Sequence, residues 1–317
     1  MKAGAGQAGS AFRTRLVGRR LGGALFGGAC MLFAMVAGLV LAVLLLRVLQ
    51  EGWSRLDSAL LTRAPSLVRP ETAGVRPALW GTVWLMCVTS AISVPIGVGA
   101  AIYLHEYARD NWLTRVVQLN LANLAGVPSI VYGILGLALF INTLRLGNSV
   151  LTGGLTLSLL SMPMIIIAAR EALAAVPDSL RQASYALGAT RWQTVRHHVL
   201  PAALPGILTG VILALSRAVG EAAPLVMIGA FARIDSVPGE NFAEYGWHPA
   251  GLWSWLRDAL LSSFAALPIQ VYNFSDSADA DVRALAAATI VVLLAILLTM
   301  NALAVGIRAW QQRSRMW

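Results

Sequence analysis

The sequence predicts an all-α membrane protein of six transmembrane helices with both termini cytoplasmic, and three observations carry that reading. Charged residues make up 12% of the 317 and hydrophobic ones 57%, with a mean hydropathy of +0.70. A soluble chain carries about 25% charged residues. Six apolar runs approach the length of about 20 residues that a bilayer crossing needs: Leu21–Leu46, Leu79–Tyr103, Val116–Ile141, Leu151–Ala169, Ala202–Phe231 and Ala284–Ile307. The charges also take sides. With the amino terminus inside, segments 1–20, 104–115, 170–201 and 308–317 hold 14 of the 24 Lys and Arg residues and 4 of the 15 acids. The outer segments 47–78, 142–150 and 232–283 hold 9 basic and 10 acidic residues. This is the positive-inside pattern. It absorbs the net charge of +9 and leaves nothing that points to nucleic acid.

The elements follow in order. Arg13, Arg15, Arg19 and Arg20 precede the first run as in a signal peptide. The uncharged stretch 21–46 far exceeds a signal core of about 7–15 residues, so it reads as a retained helix behind a cytoplasmic tail, 1–20. An outer loop, 47–78, carries Pro65, Pro70 and Pro77 after a short helical start at "RLDSALL". The main transmembrane domain spans 79–307. Its second run contains Pro95, Gly97 and Gly99, and its third contains Pro128. Proline lacks an N–H and clashes with the preceding turn, so the helix there kinks or opens. Irregular backbone at membrane depth either lines a polar cavity or packs on protein. Ser129 and Tyr132 beside the break therefore border a substrate pathway or belong to a packing kink. In the outer segment 232–283, Trp247, Trp253 and Trp255 make an interfacial aromatic anchor or a docking surface for an external protein. A short tail, 308–317, closes the chain. Cys30 and Cys87 lie in apolar runs and read as small hydrophobes.

Arg217 and Glu221 are the charges within a span, four residues apart. On one helix that spacing lets their side chains meet. Each charge is costly at the bilayer centre, about 2.5–3.5 kcal/mol on insertion scales, so both should face the protein interior or water. Two roles are open: a structural ion pair, or a pathway in which Arg217 offers forked donors to an oxyanion. No Walker-type phosphate loop, metal-ligand cluster or nucleophile-and-base grouping appears, so energy must come from a partner and no enzyme activity is expected. An ion channel and an intramembrane enzyme are the rivals from other classes.

The segment 171–201 interrupts the apolar pattern with Arg191, Arg196, His197 and His198. It reads as a short helix from Asp178, a turn at Gly188, and a second short helix leading into "LPAALPG". Gln182-Ala183-Ser184, then Gly188, then Leu200-Pro201 resemble the EAA loop of bacterial ABC-importer permeases. Gln182 stands in place of the family's Glu, Ser184 in place of its second Ala, and His198 in place of its Ile. Gly81–Ala108, Leu124–Phe140, Val176–Val195, Ala214–Ala230 and Leu267–Phe274 are together similar to the phosphate-specific permeases of the PstA family.

The resemblance implies a MetI-like fold in the bacterial inner membrane, forming half of a phosphate pathway. It implies that Gln182, Ala183, Ser184, Gly188, Leu200 and Pro201 form a loop docking an ATPase. The partners implied are a PstC-like permease, two PstB-like ATPase subunits and a PstS-like periplasmic binding protein. No cofactor is expected in this chain, ATP and Mg being used by the ATPase. A permease of the same fold for sulfate or molybdate is the nearest alternative.

Overall fold

The computed structural model describes residues 16–66, 70–230, 237–240 and 249–313. The chain divides into two units, 1–50 and 51–317. The described part of the first belongs to α1 (Leu16–Gly52), whose 37 residues form a rod of about 56 Å at 1.5 Å per residue. Within the second, α2 (Ser58–Thr62) is capped by Asp57, whose side chain accepts from Leu60 N–H at 2.9 Å. The chain then enters α3 (Arg76–Ile102), with Pro77 in the first turn, where a missing N–H does no harm. The last turn of this rod widens into a π-helical segment, Tyr103–Tyr107.

The third apolar run is not one kinked helix. Helix α4 (Trp112–Ala125), capped by Asn111, ends before Pro128, and α5 (Ser129–Gly136) starts after it. With its continuation through Thr143, the second piece lies 103° from the first. Among the described residues, five helices are long and apolar enough to cross a membrane, or six if this bent pair makes one crossing. Ser149 caps α6 (Val150–Ala174). Two short helices follow, α7 (Asp178–Ala186) and α8 (Arg191–Thr194). A π-helical stretch, Val195–Val199, runs from α8 into α9 (Leu200–Val219).

The fifth run, expected to be continuous over 202–231, is also broken. Gly220 ends α9, and Pro224 sits in the first turn of α10 (Ala223–Met227). Proline can begin this helix but cannot continue the previous one. Beyond it lie α11 (Pro249–Leu261), α12 (Leu267–Ser275) and the long α13 (Ala280–Arg313). No strand occurs among the described residues.

The packing keel is the pair α3 and α6, which run parallel. An added side-chain carbon on Gly153 would meet Leu85, one on Gly154 would meet Val88, and one on Gly97 would meet Ile165. Close approach also permits hydrogen bonds across the pair: Thr89 donates to the carbonyl of Gly154, and Ser158 to that of Thr89, each at 3.3 Å. Small residues and hydroxyls associate helices where lipid supplies no hydrophobic drive. Helix α9 runs antiparallel across α6, with Gly206 against Ala172 and Gly210 against Ala168. Three buried clusters follow one another along this keel. One is built around Val75, Leu267 and Leu285, the next around Leu85, Leu157 and Phe264, and the last around Ile165, Leu173 and Val199.

Gly154→Leu should therefore lower stability by about 1–3 kcal/mol, the usual range for overpacking. Thermal unfolding of the protein in detergent checks this. Gly99→Leu, where an added carbon meets nothing within 4 Å, should leave the transition unchanged.

Candidate functional site

The polar interruption folds as a helical hairpin. Helix α7 ends in a Schellman arrangement. Gly188 N–H bonds the carbonyl of Tyr185 at 2.9 Å and Ala189 N–H bonds that of Ser184 at 3.2 Å, satisfying carbonyls that the helix end leaves open. Gly188 has φ +84°, a left-handed conformation that side-chain-bearing residues disfavour. Helix α8 opens with a capping box: Gln193 N–H bonds the Thr190 hydroxyl at 3.3 Å, and Thr190 N–H bonds Gln193 Oε1 at 2.8 Å.

Ser184, the departure from the motif's second Ala, is buried and bonds the Thr194 hydroxyl at 2.9 Å. That bond crosses from α7 to α8. Gln182 and Ala183 lie on the outside of the hairpin. Leu187 at its tip is 89% exposed, and Tyr185 and Trp192 are also exposed. Leu200 turns inward against the last of the three clusters, and Pro201 sits in the first turn of α9. The hairpin is thus a rigid polar frame carrying an exposed apolar tip. At its root, Arg191 lies over the Tyr107 ring at 5.5 Å, and Arg181 pairs with the buried Glu106 at 2.9 Å.

Arg217 and Glu221 do meet, with Nε to Oε1 at 3.3 Å, but not on one helix. Arg217 occupies the last turn of α9, and Glu221 lies beyond its end, in the break before α10. Arg217 Nη1 also approaches Met164 Sδ on α6 at 3.4 Å. The pair is only partly covered, Arg217 being 47% exposed and Glu221 19%.

Tyr132 is buried beside the break. It is 6% exposed, and its hydroxyl donates to the carbonyl of Leu124 at 2.9 Å, closing the end of α4 across the break. Ser129, half-buried, begins α5. Among the described contacts, neither residue bonds Arg217 or Glu221. The two breaks are joined through packing: a side-chain carbon on Gly133 of α5 would fall 2.7 Å from the Cα of Pro224 in α10.

In the outer segment, Trp255 is a fastener. Its Nε1–H donates to the carbonyl of Gly239 at 2.9 Å, and its ring lies 5.6 Å from that of Trp84 on α3. Arg76 and Glu240 pair beside it at 2.6 Å. Trp253 projects outward, whereas Trp247 lies outside the described residues.

Sequence reasoning missed Arg181 and Glu106. They lie 75 positions apart, and no local pattern links them. Among the described residues no group of three or more His, Cys, Asp or Glu is arranged to hold a metal.

Within the second unit, this hairpin joins apolar helices that break beside a charged pair, an arrangement suited to a transport subunit. The family "Binding-protein-dependent transport system inner membrane component" matches residues 93–314, and the chain belongs to it. It is 33% identical over 221 residues to the probable ABC transporter permease protein YqgI of Bacillus subtilis (strain 168), covering 69% of this chain and 73% of that one. It is 41% identical over 199 residues to phosphate transport system permease protein PstA 1 of Mycobacterium tuberculosis (strain ATCC 25618 / H37Rv), covering 62% of this chain and 64% of the relative. The PstA permease of Yersinia pestis is 31% identical over 258 residues, 80% of this chain and 79% of that one.

Among solved structures, the MetNI methionine ABC transporter in its inward-facing conformations superimposes with a TM-score of 0.53 at 18% identity, over 74% of this chain and 94% of that one. The chain is an inner-membrane permease of the ABC-importer class with a MetI-like fold, a transport subunit and not an enzyme.

Gly188→Val should strain the left-handed turn by about 1–3 kcal/mol. We expect the protein to insert normally but its hairpin to lose a fixed shape, seen as faster proteolysis between Ala186 and Arg191. Unchanged protection would show that the turn does not depend on glycine.

Proposed function

We propose that this chain forms half of the transmembrane pathway of an ATP-driven importer of inorganic phosphate, with Arg217 in that pathway. The observation that carries the substrate is the likeness to permeases named for phosphate transport, 41% and 31% identical. The partly exposed Arg217 supports it, because a guanidinium suits an oxyanion in both charge and shape. Glu221 competes with the anion for Arg217, so binding stays weak enough for release. Ser129 flanks the same route at the start of α5. Sulfate or molybdate is the alternative cargo.

In this reading the exposed face of the hairpin, with Gln182, Ala183 and Gly188 and joined to α9 at Leu200-Pro201, docks a PstB-like ATPase. Two copies of that ATPase use ATP and Mg. A PstC-like permease completes the pathway and a PstS-like protein delivers phosphate from the periplasm. Closure of the ATPase pair shifts the hairpins, and the helices move as rigid elements between two states. Both termini lie in the cytoplasm, so periplasm-active reporters fused after Ser275 should be active and those after Arg191 silent. Activity at Arg191 would overturn the docking assignment.

The charged pair supplies the decisive test. If it serves only packing, Arg217→Met with Glu221→Gln should restore what either single change breaks, since no lone charge is left behind. If Arg217 meets the anion, the double variant should assemble but take up phosphate at least about tenfold more slowly, a loss of about 1.4 kcal/mol or more. Arg217→Lys should also be slow, because Lys lacks the planar fork. The measurement is phosphate uptake at matched subunit levels, with sulfate and molybdate as competitors.

A further inference from the structure

Arg181 gathers partners from both sides of the hairpin's root. Its Nη2 donates to Glu106 Oε1 at 2.9 Å and to the carbonyl of Leu173 at 3.0 Å. Its Nη1 donates to the carbonyl of Val176 at 2.7 Å and to Asp178 Oδ1 at 3.1 Å. Its Nε reaches Glu106 Oε1 at 3.3 Å, and Nη2 lies 3.3 Å from His105 Nε2. The side chain is 12% exposed and that of Glu106 6%.

These partners fall on three elements. Leu173 lies in the last turn of α6, Val176 in the bend before Pro177, and Asp178 at the start of α7. The Leu173 carbonyl also accepts the Val176 N–H at 3.3 Å, while the Val176 carbonyl lies past the helix end, where regular helical bonding has stopped. Glu106 and His105 belong to the π-helical end of the α3 rod. One guanidinium therefore clamps the bend that would otherwise act as a hinge, and fastens it to α3.

We propose that Arg181 is a positioning residue that makes the α7–α8 hairpin and the inner end of α3 one rigid body. Resting on the ATPase-docking reading above, it follows that a push on the hairpin reaches α3 through Arg181 as well as α9 through the chain. Because α3 and α6 form the keel, the whole bundle then follows the hairpin, and the bend does not absorb the displacement. The simpler role, a plug that caps these two carbonyls, needs no such transmission.

Single replacements leave a lone buried charge, so the informative variant is Arg181→Met with Glu106→Gln, which leaves none. Spin labels are placed at Arg109→Cys and Ser179→Cys, both exposed, in the full chain with Cys30 and Cys87 replaced by Ala, in lipid nanodiscs. The parent should give one narrow distance, and the double variant a distribution about twofold broader, because the clamp is gone while the fold remains.

In the complex with the ATPase, the double variant should associate and hydrolyse ATP as the parent does. The phosphate carried per ATP should nevertheless fall about tenfold, as expected when two elements no longer share one transition. A narrow, parent-like distance, or a parent-like ratio of phosphate to ATP, would overturn the proposal. A plug alone predicts that outcome. If even the parent fails to bind the ATPase, the docking reading falls, and the distances in the chain by itself still decide whether Arg181 clamps.

Discussion

A bilayer offers no water to a peptide group, so every interruption of a helix in this protein has to be closed by the protein itself. That constraint organises the bundle. At the break before α5, Tyr132 supplies its hydroxyl to the carbonyl of Leu124, and the N–H groups of Gly126 and Val127 turn back onto Asn123 and Leu124. At the break after α9, the N–H groups of Gly220 and Glu221 turn back onto Arg217 and Ala218. The two breaks then pack together, with Gly133 so close to Pro224 that no side chain fits between them. Irregular backbone survives here because each piece covers the other.

The sequence announced some of this and concealed the rest, for physical reasons. Pro128 foretold a break, because a missing N–H is a local property. Gly188 foretold a turn, and the turn is there with φ +84°. The spacing of Arg217 and Glu221 foretold a contact, but through a helix that in fact stops at Val219, so a correct pairing came from an incorrect geometry. Glycine and proline at 220 and 224 were the local signal against a continuous helix.

Other features could not be read at all. Ser184 looked like a departure from a motif until Thr194 was found opposite it, ten positions on. Trp255 read as part of an anchor or a docking surface, and its contacts with Gly239 and Trp84 had no local signal. The Arg181–Glu106 pair depends on α3 and α6 ending side by side, which follows from topology and not from any pattern near either residue. Such contacts become legible once the helices are placed.

The two ion pairs at helix ends differ sharply in their surroundings. Arg181 and Glu106 are almost wholly covered, and the guanidinium is further held by two backbone carbonyls. Separating a pair in that setting strands a charge away from water, so the arrangement holds its geometry. Arg217 and Glu221 share a single long contact, and Arg217 is about half exposed. Where the proposed pathway brings water to this site, water and ions can compete for the pair at modest cost. In the proposed transport cycle the first pair belongs with the moving machinery and the second with the cargo.

The position of Arg217 sharpens this last point. It stands in the final turn of α9, where the partial negative charge of the helix end favours a cation. The same helix end disfavours an anion. An oxyanion drawn to Arg217 therefore meets the partial negative charge at the end of α9 and the Glu221 carboxylate, both of which oppose it. Under the proposed function that combination gives a site of low affinity by construction, with one fork to select the anion and two negative groups to push it onward. Tight capture would then fall to the external binding protein, and the membrane pathway would be left to pass the anion along.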